Sequence, residues 1–177
     1  RNGPVTGGTY LTVSGYRLHG GSDYRCRFSL SDGSQVRVQD AQLVGDEVIC
    51  NSTTGPTTDA LDNLEVSLNG QQYVGGNMVT YETYSHPRVS QLSPASGPTS
   101  GGTVLSIIGH SLAHGIHRLC RFIVAEPPNA NDTLVGATVD ASVDGTQLLC
   151  RTPPYASNVT QASAVEVTLN AQQHTTD

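Results

Sequence analysis

Seven residues near the start of the chain, Gly3-Pro4-Val5-Thr6-Gly7-Gly8-Thr9, return as Gly97-Pro98-Thr99-Ser100-Gly101-Gly102-Thr103, an offset of 94. Repetition on this scale limits the fold more than any composition does, because one structural solution must serve both copies. Leu11-Thr12-Val13-Ser14-Gly15 matches Leu105-Ser106-Ile107-Ile108-Gly109, and Cys26-Arg27-Phe28 matches Cys120-Arg121-Phe122, still at offset 94. Val48-Ile49-Cys50 then matches Leu148-Leu149-Cys150 at 100, and Leu64-Glu65-Val66-Ser67-Leu68-Asn69 matches Val165-Glu166-Val167-Thr168-Leu169-Asn170 at 101. Gln71-Gln72 and Gln172-Gln173 continue the match. The second copy therefore carries a six-residue insertion between its cysteines, which Glu126-Pro127-Pro128-Asn129-Ala130-Asn131 supplies.

The matching blocks alternate apolar with small or polar residues: Leu11/Val13, Leu105/Ile107, Leu64/Val66/Leu68 and Val165/Val167/Leu169. A period of two places one face of a strand on a core and the other in water. It puts Cys26 with Phe28, and Val48 with Cys50, on inward faces. No stretch holds helical spacing with caps over three turns. With 19 Gly, 9 Pro, 2 Phe, 7 Tyr and no Trp among 177 residues, the core is thin and the segments short, which fits small β-sandwiches better than one large globule. The expectation is all-β, with a first domain over 1–85 and a second over 86–177. The first copy lacks a Pro-x-Val-x-x-Leu lead-in that the second has at Pro87–Leu92, and the second stops where the first runs on into Met78-Val79-Thr80-Tyr81-Glu82. Both ends read as cut from a longer tandem array.

Four cysteines allow three pairings, and the repeat selects one: each copy keeps its own pair, Cys26–Cys50 and Cys120–Cys150. Metal binding by these cysteines is disfavoured, since no C-x-x-C spacing occurs. Three sequons, at Asn51, Asn131 and Asn158, fit an oxidising secretory route and predict covalent glycans. All nine basic residues are Arg, scattered against fifteen acids for a formal charge of −6, which argues against nucleic-acid binding. No apolar run reaches the roughly 18 residues of a membrane helix, so no membrane contact by this segment is expected.

The combined string Pro87-x-Val89-x-x-Leu92-x-Pro94-x-x-Gly97-Pro98-x-x-Gly101-Gly102-Thr103, then Leu105-x-Ile107-x-Gly109, Cys120-x-Phe122 and Cys150-x-Thr152-Pro153-Pro154 resembles the IPT/TIG family of immunoglobulin-like domains, of the plexin and transcription-factor type. The first copy repeats most of it but has Asn51-Ser52-Thr53-Thr54-Gly55-Pro56 after its second cysteine. The resemblance covers nearly the whole chain. It implies two tandem early-set immunoglobulin-like β-sandwiches and no catalytic residues or cofactors, with neighbouring modules of the same kind as partners.

Other candidates for chemistry are weaker. His110, His114 and His117 have a spacing that three imidazole ligands could share, but in a loop with no counterpart in the first copy. Asp132, Asp140 and Asp144 lack the close spacing of a calcium loop. Ser111, after Gly109-His110, lacks the Gly-x-Ser-x-Gly elbow of a hydrolase. The Gly-Pro-x-x-Gly-Gly-Thr turns precede strands, whereas phosphate-cradling loops precede helices. The chain is read as no enzyme.

Four functions compete. The first is a secreted structural module in a glycosylated stalk, fibre or surface coat. The second is a protein-binding segment of a receptor or adhesion ectodomain, which an exposed aromatic or Arg cluster on one copy would favour. The third is an accessory domain of a secreted polysaccharide-active enzyme. The fourth is a dimerisation domain of a transcription factor, against which the cysteine pairs and sequons count.

Overall fold

The computed structural model describes residues 1–55, 59–75, 79–124, 135–154 and 163–176. Every regular element among them is a β-strand. The chain divides into two compact units, Arg1–His86 and Pro87–Asp177.

The first unit holds β1 (Asn2–Pro4), β2 (Tyr10–Ser14), β3 (Arg25–Leu30), β4 (Val36–Val44), β5 (Glu47–Asn51), β6 (Ala60–Ser67), β7 (Tyr73–Val74) and β8 (Thr80–Tyr84). Their hydrogen-bonded order is β1-β8-β6-β3-β4-β5-β2, with β7 added on β6. All pairs are antiparallel except β1 with β8. The second unit repeats the plan with β9 (Arg88–Ser93), β10 (Val104–His110), β11 (Leu119–Val124), β12 (Val135–Asp144), β13 (Gln147–Arg151) and β14 (Ser163–Thr168), in the order β14-β11-β12-β13-β10-β9. Both units are immunoglobulin-like sandwiches, as the sequence pattern predicts.

The fold-over happens within one strand. Residues 36–40 of β4 pair with β3, and Ala41–Val44 pair with β5. In β12, Asp140 is the last residue paired with β11, and Ala141 is the first paired with β13. An Asp-Ala step marks the hand-over in both copies. In each, the alanine amide donates to a carbonyl of the loop before the preceding strand, Tyr24 at 2.9 Å and Arg118 at 3.0 Å. Each following hairpin turns on glycine at its first central position, Gly45 at φ 59° and Gly145 at φ 63°, where two-residue hairpins require positive φ.

The two layers are joined through the core. Cys26 on β3 is bonded to Cys50 on β5 with Cα atoms 6.0 Å apart, and Cys120 on β11 to Cys150 on β13 with Cα atoms 6.4 Å apart, both within the usual span of a disulfide. Leu11, Leu18, Phe28, Val48, Leu64, Val66 and Tyr81 pack around the first bridge. The Phe28 and Tyr81 rings meet edge-on, their centroids 5.8 Å apart, the arrangement that the aromatic quadrupole favours.

With 24 residues separating Cys26 from Cys50, the chain-entropy treatment gives the cross-link about 3.5 kcal/mol. The double variant C26A/C50A is expected to lower the stability of the first unit by about that amount, measured by urea unfolding with Tyr81 fluorescence or unit-specific hydrogen exchange as the probe.

Candidate interaction surface

The repeated Gly-Pro-x-x-Gly-Gly-Thr loop is a clasp, and its amides are spent internally. In the first unit Gly7 donates to the Pro4 carbonyl at 3.0 Å and Gly8 to the Ser52 carbonyl at 2.8 Å. Thr9 and Ser52 then exchange bonds: the Ser52 amide donates to the Thr9 carbonyl at 2.8 Å, and the Thr9 amide donates to Ser52 Oγ at 3.0 Å. The second unit repeats this atom for atom, with Gly101 to Pro98, Gly102 to Thr152, Thr152 to the Thr103 carbonyl, and the Thr103 amide to Thr152 Oγ1 at 3.0 Å. No amide row is left to face an anion, so the phosphate-loop alternative fails on geometry. The glycines are forced: a Cβ on Gly7 would sit 2.7 Å from the Ser52 carbonyl oxygen, and one on Gly101 would sit 2.6 Å from the Pro153–Pro154 peptide. Ser52 and Thr152 are thus one residue in function, a hydroxyl two positions after the second cysteine, buried in the first unit and half-buried in the second. The apparent departure of the first copy at that point preserves the group that matters.

A second clasp explains the repeated Asn-x-Gln-Gln. Asn69 Oδ1 accepts from the amides of Gln71 and Gln72, both at 3.1 Å, and Asn170 Oδ1 accepts from those of Gln172 and Gln173 at 3.1 and 3.2 Å. Such Asx turns let a short side chain stand in for backbone. The intervening residue is left-handed in both copies, Gly70 at φ 72° and Ala171 at φ 60°.

The outer faces carry matched charges. Arg27 and Glu65 are directly opposite on β3 and β6, as are Arg121 and Glu166 on β11 and β14. Arg27 Nη2 lies 2.6 Å from Glu65 Oε2, and its guanidinium stacks 4.1 Å from the Tyr73 ring centroid. Arg121 Nε donates to Glu166 Oε2 at 2.8 Å, and His174 stands where Tyr73 does. Burial and the nearby Arg121 charge both hold His174 below the usual imidazole range.

The first unit also buries a charged pair. Asp62 is fully buried on β6 and is paired with Arg37 of β4, which also donates to the Thr54 carbonyl at 3.1 Å. In the second unit Phe122 faces Ala137 where Phe28 faces Arg37. Nearby, burial pushes the Tyr81 hydroxyl above its ordinary range, opposed by the adjoining Ser52 and Thr9 hydroxyls.

The most prominent exposed group lies on the loop after β2. Tyr16 is 87% exposed, and the Arg17 guanidinium covers its ring at 5.2 Å from the centroid. Their base is fixed. Leu18 is buried beneath them, its carbonyl accepts from Tyr24 Oη at 3.0 Å, and the Gly21 amide donates to that same Oη at 3.0 Å. His19 Nε2 contacts Asp46 Oδ1 at 2.5 Å on the β4–β5 turn. Arg17 itself is left-handed, φ 61°, as is Ser111 at the equivalent place, φ 57°.

The sequence candidates fall as follows. Asn51 ends β5, half-buried, with its Oδ1 buried and unpartnered. Asn131, Asn158 and Asp132 lie outside the described residues. His110 ends β10, and His117 forms an isolated backbone bridge with Asn170. Among the described residues no three His, Cys, Asp or Glu side chains converge as metal ligands. Asp140 and Asp144 lie exposed along β12.

These features define a disulfide-stapled immunoglobulin-like module present twice in tandem. The IPT/TIG domain profile matches residues 87–177, just over half of the chain, and the chain belongs to that family. Plexin-A2 of Mus musculus is 27% identical over 173 aligned residues, covering 81% of this chain, and plexin-A2 of Homo sapiens is 26% identical over the same share. The chain spans 8% of the length of these relatives. The plexin A4 extracellular region superposes on 97% of this chain with a TM-score of 0.58 at 19% identity, over 14% of its own length. That likeness is one of fold.

Two outcomes follow from the buried polar groups. Ser52→Ala leaves the Thr9 amide buried without an acceptor and is expected to cost about 1–3 kcal/mol in urea unfolding, whereas Ser52→Thr, which reproduces Thr152, retains most of the stability. Arg37→Ala strands a buried carboxylate and is expected to cost about 3–5 kcal/mol, while the apolar replacement R37M/D62L restores most of that loss in the same measurement.

Proposed function

We propose that this chain is a non-catalytic segment of a plexin-like receptor ectodomain, exposed at the cell surface or outside the cell. The observation that carries the reading is the plexin-A2 similarity running across 81% of the chain, through both modules together. Two disulfides per chain support an oxidising compartment. The Tyr16–Arg17 tip supports a protein-contacting role over a purely structural one, since Tyr and Arg are the side chains that most often dominate protein interfaces. The stalk, fibre or coat that the tandem repeat first suggests has no comparable support. The segment acts as a spacer between neighbouring IPT/TIG modules and offers a recognition point on the first module. Asn51, Asn131 and Asn158 carry N-linked glycans in this reading.

Negative-stain imaging of the parent protein from its native source tests the reading. Discrete ectodomains of fixed length are expected, and long filaments of stacked modules would sink it. Intact-mass measurement of the secreted chain, with and without glycosidase, is expected to show a loss of sugar mass, reduced stepwise by Asn→Gln at each sequon.

A further inference from the structure

Differences between the two copies gather where two loops of the first unit meet. On the loop after β2, Tyr16, Arg17 and His19 stand where the second copy has His110, Ser111 and Ala113. On the β4–β5 hairpin, Val44, Asp46 and Glu47 stand where it has Asp144, Thr146 and Gln147. The scaffold beneath is retained. Gly15, Leu18 and Gly45 match Gly109, Leu112 and Gly145, and both leucines are buried. The His19–Asp46 contact joins the two loops. At their base the Ser14 hydroxyl donates to Glu47 Oε1 at 2.7 Å. Val44 is 58% exposed on the hairpin. Arg25, Arg27, Arg37 and Arg121 are each held by a carboxylate. Arg17 is not: among the described residues its guanidinium meets the Tyr16 ring and no acceptor.

We propose that these two loops of the first unit form a docking site for a protein partner that presents one Asp or Glu carboxylate beside an apolar side chain. The inference rests on the receptor reading and gives its recognition point a partner chemistry. A guanidinium stacked on a ring keeps its edge of N–H donors for an acceptor that approaches in its plane, and a carboxylate fits that edge with two parallel bonds. Stacking on Tyr16 also restricts the Arg17 side chain beforehand, so less freedom is lost on binding. Tyr16 and Val44 supply the apolar surface that the partner's neighbouring side chain covers. An anionic polysaccharide fits less well. It needs several cations in a row, and Asp46 and Glu47 place carboxylates on the same loops. In the second unit Ser111 and Asp144 remove both the cation and the valine, so the partner docks on the first unit alone.

The test uses the full chain and a phage-displayed library of random peptides, selected on the wild-type chain and depleted on the variant Y16H/R17S. That variant installs the second unit's own residues on a turn of the same left-handed shape, so its thermal midpoint is expected to match the wild type. The enriched peptides are expected to share an Asp or Glu next to an aliphatic or aromatic residue. A synthetic peptide of that sequence is expected to bind about tenfold more weakly, or worse, when its carboxylate is changed to the amide or when the chain carries R17A. R17K, which keeps the charge and loses the fork, is expected to bind more weakly than wild type. Selection of no peptide that distinguishes the two chains overturns the proposal, as does enrichment of peptides without a carboxylate or equal binding by R17K. Heparin binding that Y16H/R17S abolishes also overturns it, because the occupant is then an anionic saccharide. The receptor reading fails separately: filaments of the parent protein leave peptide binding at Arg17 intact, and loss of that binding leaves the plexin similarity intact.

Discussion

Each sandwich depends on a covalent bond that crosses it. The first unit's core has Phe28, Tyr81 and a few aliphatic side chains, and along the sheet β3 reaches β5 through β4. Small domains bury too little apolar surface to be stable by packing alone. The Cys26–Cys50 bond sits inside that core and restricts the unfolded chain more the longer the sequence separation it closes. The hydrophobic groups then complete a geometry that the bond has already narrowed. In the second unit the same bond joins cysteines 30 residues apart rather than 24, with Cα atoms 6.4 Å apart against 6.0 Å, since loop-closure cost rises only slowly with length.

Around that bond, polar groups are satisfied in closed pairs. The hydroxyl of Ser52 or Thr152 satisfies the amide that opens β2 or β10, and the Asn69 and Asn170 side chains satisfy turns at Gln71-Gln72 and Gln172-Gln173. Each closes a loop onto a strand end, which is why those residues recur while their neighbours vary. The Arg37–Asp62 pair differs. It replaces apolar packing with a desolvated ion pair, and such pairs contribute little net stability while penalising any arrangement that separates them.

Much of this is legible in the sequence because it repeats. The offset of 94 rising to 101 gives the strand blocks, the alternation and the cysteine pairing, each being a local pattern seen twice. The Asp40-Ala41 and Asp140-Ala141 steps were legible by the same offset but carry no propensity that marks a hand-over between layers. The alternation that turns Leu64 and Val66 inward also turns Asp62 inward, yet its partner Arg37 comes from another strand, which spacing along the chain does not reveal. The histidine triad illustrates the converse: His110, His114 and His117 are close in sequence, but their loop gives the backbone of His117 to Asn170 and does not gather the rings. The Tyr16–Arg17 tip depends on exposure and stacking, which neither residue type announces.

The left-handed position shared by Arg17 and Ser111 has a consequence of its own. A main-chain shape that glycine would adopt freely is held here by non-glycine residues in both copies, with Leu18 and Leu112 buried just after it. The buried leucine anchors the loop, so the residue before it is free to change its chemistry. One copy mounts a cation on an aromatic ring there, and the other mounts a small hydroxyl. The scaffold therefore works as a socket with interchangeable fittings, and tandem duplication supplies a second socket whose fitting diverges without disturbing the first.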